Sequence, residues 1–84
     1  SWVAAILMCL EEGCTRQEFE ELIDGFGKAI GVERDAIIAW LKNKAPLPQG
    51  AHLILKRALN EWRMDIGRFR KMLLRRATKL RFLP

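Results

Sequence analysis

Two thiols, one imidazole and ten carboxylates are the side chains in these 84 residues with nucleophilic, acid–base or metal-binding chemistry. Cys9 and Cys14 lie five positions apart, and no second cysteine pair follows, so the ligand spacing of a zinc site is missing. Cys9 sits in the most apolar stretch of the chain, where a thiol is unreactive. The pair reads as free thiols in a reducing cytoplasm, with a disulfide across the short loop as the alternative. His52 has no second histidine to work with and follows a proline-rich loop, which suits a capping or surface residue. Glu11, Glu12, Glu18, Glu20, Glu21 and Asp24 gather near expected helix starts, as dipole electrostatics and a solvated face would place them. Gly25-x-Gly27 lacks the third glycine and the preceding strand of a phosphate loop. These residues imply no catalysis, no metal and no cofactor. Arg75-Arg-Ala-Thr78 matches a basophilic-kinase consensus, but over only four residues, and is read as coincidence.

The cations are more informative. Net charge is +5, unevenly spread: residues 63–84 hold eight basic side chains against Asp65, whereas residues 1–62 hold seven basic and nine acidic ones. Such asymmetry points to a polyanionic partner for the carboxyl end, or to a solvated helix face.

Elements must position these charges, and their signals are helical throughout. Half of the residues are hydrophobic, and their spacing has a period near 3.6 with no strand-like alternation. The length suits a single domain, 1–84, with one core, and a chain this short buries only about 60% of its unfolded surface. Trp2 to Glu12 reads as an apolar first helix ended by Gly13. It is too short to cross a bilayer and has no basic leader, so a signal peptide and a membrane partner are not expected. Thr15-Arg-Gln-Glu18 is a capping box that starts a second helix. Gly25 and Gly27 predict a break near Asp24, with Asp24 capping the restart. Glu33 or Arg34 to Lys42 is the next helix, and Ala45-Pro-Leu-Pro-Gln-Gly50 is a loop. From Ala51 the chain can be helical almost to Arg81, as one long basic helix or as two with a break at 63–67. The expectation is an all-α, five-helix domain.

The stretch Ile23 to Lys44 has the requirements of a helix-turn-helix in register: a small residue at Gly27, a turn glycine at Gly31, and Phe26, Ile30, Val32, Ile37 and Trp40 to lock the pair. The run Gly31-Val32-x-x-x-x-Ile37-x-x-Trp40-Leu41-x-Asn43, followed by a proline-bearing loop and another apolar helix, resembles the Cro/lambda-repressor class of helix-turn-helix domains over residues 15–62. The resemblance implies double-stranded DNA as partner, with a recognition helix presenting Glu33, Arg34, Asp35, Ile38, Ala39 and Lys42 to the major groove. Arg34 would address guanine and Glu33 or Asp35 cytosine, while Lys28, Lys42, Asn43 and Lys44 would lie on phosphates. The chain departs from that class in opening its recognition helix with Glu-Arg-Asp and in exposing Ile38, a combination that suits a protein partner.

Downstream, Trp62, Ile66, Phe69, Leu73 and Leu80 form an apolar stripe ringed by arginines. Three roles fit: a helix packed on the domain that offers Arg70, Arg75 and Arg76 to DNA phosphates, a homodimer seam, or a basic amphipathic helix that lies on an anionic membrane or docks into a partner's groove. Trp2, Trp40 and Trp62 read as core anchors. Together these features predict a cytoplasmic, dimeric DNA-binding transcription regulator, with a protein-interaction module of the same fold as the alternative.

Overall fold

A computed structural model describes all residues, Ser1 to Pro84. The chain is all-helical: α1 (Trp2–Glu12), α2 (Arg16–Ile30), α3 (Arg34–Leu41), α4 (Gln49–Asn60) and α5 (Ile66–Lys79). No helix is long and apolar enough to cross a membrane.

The helix ends follow local chemistry. The Ser1 hydroxyl accepts the Ala4 N–H, and Gly13, at φ 91°, turns the chain out of α1. At the start of α2 the Thr15 hydroxyl accepts the Glu18 N–H at 3.1 Å, and the Glu18 carboxylate accepts the Thr15 N–H at 2.9 Å. Those bonds satisfy two amides that the helix leaves orphaned, and the donated Thr15 amide holds the Glu18 carboxyl below its ordinary range. Asp65 caps α5 by accepting the Arg68 N–H at 3.0 Å. Gln49 and Gly50 belong to the first turn of α4 rather than to the loop. A first turn needs no internal donors, so Pro48 can stand immediately before it.

Two expectations are corrected, and one alternative is decided. The second helix does not break at Asp24; it runs unbroken to Ile30, because tertiary packing at Gly27 outweighs the weak helix propensity of its two glycines. The cysteines are not free: Cys9 and Cys14 are joined, with Cα atoms 5.1 Å apart, because the chain reverses at Gly13 and brings the start of α2 back to the end of α1. The cytoplasmic reading therefore loses the support it took from free thiols. Of the two forms open to the C-terminal stretch, the chain takes the one with two helices. The Leu59 carbonyl accepts both the Trp62 and Met64 N–H groups, Arg63 turns left-handed at φ 52°, and Asp65 restarts the backbone. The interruption thus falls at 61–65, and Gly67 lies inside α5.

Nineteen buried apolar residues form one core, and no buried side-chain polar atom lacks a partner. Phe26 of α2 is at its centre: its ring lies 5.3 Å from Trp2, 6.3 Å from Trp40 and 5.9 Å from Phe69, joining four helices. Ala51, Leu55 and Leu59 bring α4 into the same core. The tail returns to it as well, with Phe82 buried and packed edge-on against Phe19 at 5.2 Å. Trp62 is no anchor. It follows the end of α4 and is 46% exposed.

Candidate nucleic-acid interface

The α2–turn–α3 unit is held by contacts between backbones. The Gly27 carbonyl accepts N–H bonds from Gly31 at 2.8 Å and Val32 at 2.9 Å. A Cβ on Gly27 would stand 2.6 Å from the Val32 carbonyl oxygen, so only a residue without one permits the approach. Gly31 is required for a different reason. Space around it is open, but its backbone is left-handed at φ 81° and ψ 34°. Phe26, Ile30, Ile37 and Trp40 are buried between the pair, and Val32 is half-buried. The outer side of α3 consists of Asp35, Ile38, Ala39 and Lys42, at a spacing that keeps them on one helical stripe. Asp35 and Lys42 are exposed, while Ile38 and Ala39 are half-buried.

Arg34 is not a free reader. Its Nε donates to one Asp24 carboxylate oxygen at 3.0 Å and its Nη2 to the other at 2.7 Å, a bidentate pair across ten residues. Its guanidinium also lies 5.7 Å from the centre of the Phe82 ring, in cation–π range. The Nε–Nη2 edge of the guanidinium is therefore taken up within the chain, which leaves Nη1 as its open end. Asp24, expected to cap a restarted helix, instead holds Arg34. The Arg34 hydrogen bonds keep its carboxyl below the ordinary 3.8, and Lys28 adds to the effect. The stability this group lends is present above its ordinary value and is lost as pH falls through the lowered, folded one. In an NMR acid titration the Asp24 carboxyl should have a midpoint below 3.8, and Arg34→Ala should return it to the ordinary range. A wild-type midpoint at or above that value would show that the pair does not persist in solution.

Two of the expected phosphate ligands have structural work. Arg70 donates to the Leu41 carbonyl at 3.3 Å, and Arg76 to the Leu10 carbonyl at 3.2 Å. Each half-buried guanidinium thereby serves the end of another helix, where carbonyls lack partners within the helix. Arg75 remains exposed. With Arg68, Lys71 and Lys79 it forms a single solvent-facing row on α5, opposite Phe69, Leu73 and Ala77. Of the C-terminal cations the sequence analysis singled out Arg70, Arg75 and Arg76, whereas counting three, seven and eleven positions from Arg68 brings out the exposed row.

Lys42, Asn43 and Lys44, at the end of α3, are exposed, with Asn43 left-handed at φ 58°. A cleft of about 390 Å³ beside them is lined by Asn43, Lys44, His52 and Arg70, so the end of α3, the start of α4 and α5 meet there. Lys28 is exposed on the last turn of α2, and with Asp24, Glu33 and Arg34 it lines a separate shallow cleft. The expected apolar stripe is divided. Phe69 and Leu73 are fully buried in the chain's own core, Ile66 and Leu80 are half-buried, and Trp62 is exposed. The stripe is thus not available as an unpaired seam for a second copy.

No family model, curated protein or solved structure matches this chain. The residues and the geometry alone support a functional reading. On that geometry α3 can lie against a partner along Asp35–Lys42, flanked by cations that carry no intramolecular pair.

Proposed function

We propose that this chain is the DNA-binding domain of a transcription regulator, holding duplex mainly through its phosphates. The observation that carries the reading is the tight α2–Gly31–α3 crossing, which leaves Asp35 and Lys42 exposed on the outer stripe of α3, Ile38 and Ala39 half-buried between them, and Lys44 just beyond its end. The α5 row of Arg68, Lys71, Arg75 and Lys79 adds cations for a polyanion. Base reading falls to Asp35, Ile38 and Lys42 rather than Arg34, so sequence discrimination is weak. Arg70 and Arg76 shape the protein instead of touching DNA.

A second reading is favoured by one specific feature. Glu33 and Asp35 offset the cations of the α3 face, and Arg34 is already neutralised by Asp24. Such a surface suits a protein partner better than a phosphate backbone.

Fluorescence anisotropy with a mixed-sequence duplex separates the two. Binding through four or so phosphates should weaken about 100-fold between 50 and 200 mM salt. Lys42→Glu with Lys44→Glu should weaken it further and make the salt slope shallower by about 2. Affinity that is flat in salt, or untouched by the double reversal, would sink the DNA reading and leave the protein-binding one.

A further inference from the structure

The molecule has two apolar patches with opposite charge around them, and neither is used by the α3 surface. One is a groove of about 450 Å³ between α1 and α2. Ala5, Met8, Leu22 and the Cys9–Cys14 bridge form its apolar part, and its charged lining is Glu12, Glu18 and Glu21 with no cation. Glu18 is committed to the Thr15 amide, which leaves Glu12 and Glu21 with open carboxylates. Met8 is 57% exposed, the largest exposure among the bulky apolar residues. The other patch is a ridge on the solvent side of α4 and just beyond it, where Leu53, Ile54 and Trp62 are each 46% exposed. Lys56, Arg57 and Arg63 border it, outnumbering Glu61. None of these charges is held in an ion pair, since the pairs present are Arg16–Glu20 and Arg34–Asp24.

We infer that the α4 ridge of one copy of this chain docks in the α1–α2 groove of a second copy. Charge decides the pairing. Ridge against ridge would set Lys56, Arg57 and Arg63 near their own copies, and groove against groove would set glutamates together; both are repulsive. Ridge against groove brings unlike charges to the rim and apolar atoms to the centre, the composition of a stable interface. The ridge does not fill the groove of its own chain, because no groove-lining residue comes from α4 or from the turn after it. The contact is therefore head-to-tail. A head-to-tail contact closes into a ring or extends as a chain, and does not stop at a symmetric pair.

Sedimentation velocity on the full chain tests this. At low salt the average mass should climb with concentration beyond that of a dimer, and should return towards the monomer as salt is raised. Glu12→Lys with Glu21→Lys disables the groove and leaves the ridge; Ile54→Ser with Trp62→Ser does the reverse. Each variant alone should sediment as a monomer. An equimolar mixture should form a complex of two chains and stop there, since one sound groove and one sound ridge remain. That recovery also shows that both variants are folded. A wild type that stays monomeric at every concentration overturns the inference. So does a groove variant that still associates alone, or a mixture that does not associate.

Discussion

Gly27→Ala is expected to destabilise the domain by about 3 kcal/mol, although alanine is the better helix former. The added methyl would meet the Val32 carbonyl oxygen at 2.6 Å, and Ile37 stands 3.4 Å away. Backbone cannot swing aside as the tip of a side chain can, so the turn itself has to shift. Gly25, two residues earlier on the same helix, is the control. A Cβ there meets nothing within 4 Å, and Gly25→Ala should stabilise by about 0.5–1 kcal/mol. Urea denaturation of the two variants should move the midpoint in opposite directions. Equal effects would show that the crossing is looser than described, and would remove the basis for presenting α3 outward.

The second large effect is at the centre of the core. Phe26 is fully buried and touches aromatic rings from α1, α3 and α5. Truncation of such a phenylalanine typically costs about 3–5 kcal/mol. A domain of this length has about 4–12 kcal/mol in total, so Phe26→Ala should be largely unfolded on warming and should lose its near-ultraviolet dichroism. Trp62→Ala, at an exposed site, should change stability by less than about 0.5 kcal/mol. If Phe26→Ala melted within a few degrees of wild type, the four-helix junction would not be the centre of stability.

The all-helical architecture was legible because the signals for it are local. A capping box, a turn glycine and period-3.6 apolar spacing each act within one helix or one turn, as Thr15–Glu18 and Gly31 illustrate. What escaped depends on partners distant in the chain. Asp24 and Arg34 meet across ten residues, Arg70 and Leu41 across 29, and Arg76 and Leu10 across 66. No spacing rule links such positions, so arginines that finish other helices looked like ligands for phosphate. The continuity of α2 was hidden for the same reason. Gly27 weakens a helix considered alone, and its value emerges only when Val32 is packed against it. Trp62 misled in the opposite sense, because side-chain size suggested the core while a break at 61–65 directs it to solvent. The α3 stripe was readable as a surface, but its chemistry was not, since Arg34 is consumed by a residue outside the helix.

The bonds from Arg70 and Arg76 set an order of events during synthesis. A ribosome releases α1 and α3 well before α5, so the carbonyls of Leu10 and Leu41 must wait on water until α5 is clear of the exit tunnel. Phe69, Leu73 and Phe82 arrive late as well, and with them the last faces of the core. Four of the five helices are therefore made before the interior can be sealed, and this core is complete only once α5 and Phe82 have been translated.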